Sequence, residues 1–167
     1  MAPPTIRLAT AADADGIWRV FQAVVRGSDS FPWPPDTSKA DALAAWMHPS
    51  NTVMVALDES NEIVGSYFLR PVQPGLASHI ANAAYMVAPW FRGRGLGKHL
   101  GEHSIEEARR SGYLAMQFNL VVSTNLAAVE LWQRLGFKIV ATIPRAFRHG
   151  TLGLVATHIM HRELESK

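Results

Sequence analysis

The stretch PWFRGRGLGKHLG, residues 89 to 101, constrains this chain more than any other. Gly93, Gly95 and Gly97 alternate with Arg94 and Leu96, an apolar run precedes them, and a helical pattern follows. A strand, a glycine turn and a helix N-terminus together make an anion site. The first helical amides have no intrahelical acceptor, the helix dipole favours negative charge, and glycine removes side chains that would block a phosphate. The dinucleotide fingerprint G-x-G-x-x-G fails here. Counted from Gly93 its last position is Lys98, and from Gly95 it is Leu100. No acidic residue ends the next strand, LAMQFNLVV, where ribose hydroxyls would be held. The Walker pattern fails too, because His99 follows Gly97 and Lys98 and Arg92 stands where the leading glycine belongs.

The rest of the chain reads as one domain over residues 1–167. Apolar residues make up 48% and charged residues 18%, a globular balance, and the net charge is only +2. No basic stripe suits nucleic acid. There is no cysteine, which excludes a thiol nucleophile, a disulfide framework and thiolate metal ligands, and suits a cytoplasmic enzyme. The first residues lack the apolar core of a signal peptide, and no apolar run is long enough to span a bilayer. His99 and His103 stand four apart without a third ligand, so no metal is expected.

TIRLAT is a short extended segment. Ile17, Val20, Phe21 and Val24 have the spacing of one helix face. Three prolines between Pro32 and Pro35 make a loop that also holds Phe31 and Trp33. SKADALAAWMH is a second helix capped by Ser38. Two strands of a hairpin follow, then the extended run ASHIANAAYMVA. A helix is expected from Leu96 to Ser111, with Gly97, Leu100, Gly101, Ser104 and Ala108 on one close-packing face and Glu106 paired with Arg110. LAMQFNLVV is a buried strand, and the helix after it starts at Thr124 or Asn125 and stops at Gly136. FKIVATI and LVATHIMHREL are the last strands, with PRAFRHGTLG as a basic loop between them. The order β-α-α-β-β-β-α-β-α-β-β gives an α/β fold with an antiparallel front half and one β-α-β crossover.

One further pattern fits the glycine stretch. R-x-x-G-x-G, read as Arg92, Gly95 and Gly97, directly follows the strand YMVAP, and NLAAVELWQRLGF lies downstream in the right order. Together they resemble the two signature blocks of the GCN5-related N-acetyltransferases (GNAT), and the resemblance covers essentially the whole chain. It implies an acyl-CoA N-acyltransferase fold: a mixed, mostly antiparallel sheet flanked by helices, with its two central strands splayed apart. It implies acetyl-CoA as cosubstrate. The backbone of Met86 and Val87 would pair with the pantetheine arm. The amides of Arg92, Gly93, Arg94, Gly95, Leu96, Gly97 and Lys98 would cradle the pyrophosphate, and Asn125 would contact the cofactor. Trp132 would pack in the core or against the cofactor arm.

FNLVVSTN, LWQRLGF and IPRAFRHGTLGLVATHIMHREL look like a narrower branch, which includes fungal enzymes that acetylate azetidine-2-carboxylate, a proline analogue. The residues matching that branch's asparagines are Asn82, Asn119 and Asn125. Two departures stand out. Many family members have a tyrosine that protonates the leaving thiolate; here the position is Trp132, whose indole N–H is too weak an acid. The strand before the glycine turn has no carboxylate, so the proton acceptor is either His79 or a water chain held by Asn82 and Asn119. Asn82 could instead hold the substrate or polarise the thioester carbonyl, with the N–H of Val87 or a neighbour completing an oxyanion site. Trp33, in the proline loop, and Arg145 and Arg148, in the basic loop, are candidate substrate contacts.

The resulting expectation is an N-acetyltransferase acting on the amine of an amino acid or imino acid by direct transfer in a ternary complex. Acetylation of another amine or of a protein N-terminus, or a non-catalytic acyl-CoA-binding domain, are the alternatives. The family resemblance also implies a homodimer.

Overall fold

The computed structural model describes residues 3–164. Seven strands form one sheet in the order β1-β2-β3-β4-β5-β7-β6. They are β1 (Thr5–Leu8), β2 (Thr52–Leu57), β3 (Ile63–Pro71), β4 (Ile80–Val87), β5 (Ala115–Val122), β6 (Lys138–His149) and β7 (Gly153–Glu163). The helices are α1 (Ala14–Val25), α2 (Lys39–Trp46), α3 (Leu96–Arg110) and α4 (Leu126–Arg134). The order of elements is the one read from the sequence, and every strand pair is antiparallel except β4 with β5.

Side chains alternate across β3, and its two faces carry different partners. Ser66 and Phe68 meet Trp46 of α2: the indole N–H donates to Ser66 Oγ at 3.0 Å, and Ser66 donates in turn to the Met54 carbonyl at 2.7 Å. Tyr67, on the other face, shares a hydrogen bond of 2.8 Å between its hydroxyl and His103 Nδ1 of α3. Helices therefore cover both faces, which explains why β3 is buried along most of its length.

α3 lies close against α4 because Gly101 has no side chain. A Cβ there would stand 2.6 Å from Leu135 Cδ1 and 3.0 Å from the Trp132 ring. Asn125 caps α4 and Ser38 caps α2, each accepting from the amide three residues on. On α3, Lys98 pairs with Glu102 four residues on, and in the last turns Arg109 pairs with Glu106 and Arg110 with Glu107; the expected pairing of Glu106 with Arg110 gives way to these three-residue spacings.

The largest departure from the sequence reading lies at the C-terminal hairpin. PRAFRH is not loop. It continues β6 to His149 through an irregularity between Ile143 and Phe147, where Pro144 and Arg145 (φ 56°) interrupt the ladder. An edge strand tolerates a proline, and β6 is the outermost strand.

Burial first, then the nearby Arg110, holds the His103 imidazole below its ordinary value, so His103 stays neutral in its hydrogen bond with Tyr67. The unfolded chain then binds more protons than the folded one below about pH 6.5, and the stability this pair supplies is complete above that value and lost as the pH falls. Thermal unfolding from pH 7.5 to 5.5 should show a falling Tm that His103→Gln flattens; an unaltered slope in the variant would disprove the assignment.

Candidate active site

β4 and β5 pair only at Ile80–Ala115 and Ala81–Met116, then part. β4 keeps its full ladder with β3, and the Ala88 amide donates to Val64 while Ile80 accepts from Val72. Period-two alternation then turns the backbone groups of Asn82, Ala84 and Met86 into that ladder. Those of Ala83, Tyr85 and Val87 face the gap. Of the two residues expected to offer backbone to a ligand, Val87 turns its backbone groups to the gap, whereas those of Met86 are taken up by β3.

Both helix N-termini that follow the parted strands lie at the open end of the gap. Gly93 and Gly95 adopt φ of 76° and 78°, and a Cβ at either would meet nothing within 4 Å. The turn is thus left-handed and bare, and the His99 amide is the first in α3 to find a helical acceptor, at Gly95. The amides of Leu96, Gly97 and Lys98 precede it, which leaves them available to an anion. At α4, Asn125 Oδ1 accepts from Ala128 at 3.3 Å, and its Nδ2 remains as a donor.

Three cavities adjoin here through shared wall residues. A cleft of about 460 Å³ lies between Arg92, the α4 N-terminus, Ser30 and His149. A narrow cavity of about 130 Å³ fills the gap itself, walled by Ala83, Tyr85, Phe118, Leu120, Asn125 and Trp132. A third, of about 520 Å³, lies between the proline loop and the β6–β7 hairpin, with Phe31, Trp33, Leu120, Arg148 and His149 on its walls. Ser30 and Asn125 line the first two, and Phe31 and Leu120 the last two. Above them the Gly150 amide donates to the Ser28 carbonyl at 2.8 Å, bridging the loop after α1 to the hairpin tip.

Trp132 and Tyr85 stand side by side at the gap, ring centroids 4.6 Å apart. The direction of the Tyr85 hydroxyl proton follows from its neighbours. Ser104 donates its only proton to the Gly101 carbonyl at 2.8 Å, so Ser104 Oγ accepts from Tyr85 at 2.7 Å. Burial raises the Tyr85 phenol, so it stays protonated with that proton committed to α3. His149 is fixed in a similar way. Its Nδ1 accepts from the Thr151 and Leu152 amides at 3.1 and 3.3 Å, which places the proton on Nε2 as a donor.

Several sequence candidates are not brought to this channel. His79 is exposed and precedes β4, at the end where β4 and β5 are still paired, so it stands at the closed end of the gap. Asn119 is exposed and its Oδ1 accepts from Gln117 Nε2 at 2.9 Å, outside the three cavities. Asn82 is opposite Arg70 on β3 and also lies off their walls. Arg145 is exposed at the β6 irregularity, whereas Arg148 reaches the same cleft as Trp33. Sequence reasoning missed Ser30 and Leu120 and could not place Tyr85. Counting back by twos from Val87 would have found Tyr85; nothing marked the other two. Among the described residues no cluster could hold a metal ion, and no helix is long and apolar enough to cross a membrane.

A mostly antiparallel sheet split between its one parallel pair, with helices starting at the open end, defines the acyl-CoA N-acyltransferase fold. The profile of the Acetyltransferase (GNAT) family matches residues 18–137, well over half the chain. This chain belongs to that family. It is 33% identical over 129 residues to N-acetyltransferase aca1 of Schizosaccharomyces pombe, covering 77% of this chain but 57% of that protein, so it spans little more than half of this relative. It is 30% identical over 147 residues to an L-methionine sulfoximine/L-methionine sulfone acetyltransferase of Salmonella typhimurium, covering 84% of each. The solved structure of a GCN5-related N-acetyltransferase from Kribbella flavida superposes with a TM-score of 0.90 at 40% identity, covering 96% of this chain and 97% of that one.

Asn125 serves α4 through its cap whatever else it touches. Asn125→Ala should lower unfolding free energy by about 1 kcal/mol, and Asn125→Ser should restore most of it. Equal losses in both variants, measured by urea denaturation, would show that the cap contributes nothing.

Proposed function

We propose that the protein transfers the acetyl group of acetyl-CoA to the amine of a small amino acid or proline-like imino acid, by direct attack in a ternary complex. One observation carries the reading: cavities that share wall residues lead from Arg92 and the α4 N-terminus, through the parted strands, to side-chain N–H donors beside an apolar wall. The resident groups fit acetyl-CoA. The amides of Leu96 to Lys98, with Arg92, Gly93, Arg94 and Gly95 around them, take the pyrophosphate. Asn125 Nδ2 and the gap-facing backbone of β4 take the pantetheine arm, with Trp132 packed alongside.

The acetyl thioester then lies in the narrow gap, and a gap-facing N–H of β4, that of Val87 or its neighbour Tyr85, polarises its carbonyl. The amine enters from the wide cleft, where Arg148 and His149 Nε2–H hold its carboxylate and Trp33 and Phe31 pack against its carbon skeleton. A C–N bond forms, the C–S bond breaks, and the electron pair leaves on sulfur. The nitrogen gives its proton to water in the open cleft, and the thiolate takes one from water, since the Tyr85 proton is committed to Ser104. The Salmonella relative, named for an amino-acid analogue, supports a substrate of this class.

The reading extends to a homodimer. β6 is an edge strand that exposes Ile139, Val140 and Ile143, an arrangement that invites pairing with another chain.

Thiol release from acetyl-CoA should appear with amino or imino acids and be lost when their carboxylate is amidated. Arg148→Gln should raise KM for the carboxylated amines at least about fivefold, as loss of one charge-assisted contact implies. Tight CoA binding with no release from any amine would leave a binding domain as the better account. Sedimentation at micromolar concentration should give a dimer that Val140→Lys dissociates; a monomeric native chain would refute the assembly.

A further inference from the structure

If the donor lies in the narrow gap and the acceptor in the wide cleft, as proposed above, the attacking nitrogen has to sit where the two cavities meet. Phe31 and Leu120 are the side chains that line both cavities. They are held very differently. Phe31 stacks on Trp33 with centroids 5.6 Å apart and tilts against Trp46 at 5.9 Å. Trp46 is fully buried and hydrogen-bonded to Ser66, so the Phe31 ring cannot move far without disturbing this cluster. Leu120 has no such support. The β5–β7 ladder is irregular between Phe118 and Val121, and the Leu120 side chain is 37% exposed. An irregularity of this kind re-aims a side chain, and here it sets a leucine in the passage.

We propose that Leu120 is a specificity-determining residue: it sets the room around the attacking nitrogen and so the preference between primary and secondary amines. The inference rests on the acetyl-transfer reading. A primary amine brings one carbon on nitrogen to the junction, whereas a cyclic imino acid brings two held in a ring. Both carbons must clear the passage as nitrogen closes to about 3–3.5 Å from the thioester carbon. One wall of that passage is a fixed aromatic ring, so the branched end of Leu120 decides how wide an approach fits. Phenylalanine at this position narrows the passage and alanine widens it.

The test is a ratio measured on one protein sample, so any fraction of unfolded enzyme cancels. kcat/KM is measured for azetidine-2-carboxylate and proline and for the primary amines 2-aminobutyrate and norvaline, with native enzyme, Leu120→Phe, Leu120→Ala and Leu120→Met. Leu120→Phe should lower the secondary-to-primary ratio about tenfold and Leu120→Ala should raise it, as the removal or addition of a few carbons in an apolar pocket implies. Leu120→Met, similar in volume, should keep the native ratio. Ratios within twofold of native for both Phe and Ala variants would overturn the role of Leu120 while leaving the acetyl-transfer reading intact. Native enzyme that turns over none of the four amines would overturn the substrate reading and this inference with it.

Discussion

The parting of β4 and β5 is the constraint on which the rest of the structure depends. After two residue pairs the strands stop sharing hydrogen bonds, and the peptide groups of Ala83, Tyr85 and Val87 face an open gap. Backbone groups inside a sheet ordinarily find partners, because leaving them dry and unpaired is costly. A gap in the middle of a sheet therefore needs something to hold it open. Tyr85, Phe118, Trp132 and Phe137 do this as a ring cluster on the α3–α4 face, with centroid separations of 4.3 to 6.0 Å. That cluster needs α4 close to α3, and the closeness needs Gly101.

The opposite face is held by a second aromatic cluster with another job. Phe21, Phe31, Trp33 and Trp46 pack together over Phe68, and they tether a proline-rich loop that has no regular structure of its own. The loop is thereby rigid enough to form a wall. Facing it are the β6–β7 hairpin and the irregular part of β5, where Leu120 is 37% exposed. The wide cleft thus has one wall locked by stacked rings and another built on interrupted ladders.

Much of this was legible in the sequence, and the unread part has a common cause. Periodicity and caps gave the element order, and the glycine turn with NLAAVELWQRLGF gave the family. The small face of α3 foretold its close contact with α4. Sites that depend on where a ladder breaks were not legible. Arg145 and Arg148 looked alike in PRAFRHGTLG and both are exposed, yet only Arg148, beyond the irregularity in β6, stands on the wall of the cleft. Asn119 looked buried within FNLVV, yet the break in β5 leaves it exposed and puts its apolar neighbour Leu120 in the passage. His79 lay in the same extended run as the gap residues, yet it precedes β4 at the end where β4 and β5 are still paired.

The hydrogen bond from Gly150 to Ser28 ties the hairpin tip to the loop after α1 on the wall of the wide cleft, which both residues line. That cleft and the one beside Arg92 and the α4 N-terminus have His149 alone in common, so each has its own lining. In the proposed reaction the nucleotide-bearing donor and the small acceptor use different clefts, so neither must leave before the other can arrive. Binding order is then free of steric hierarchy, and the spent carrier can be exchanged while the next acceptor is already seated.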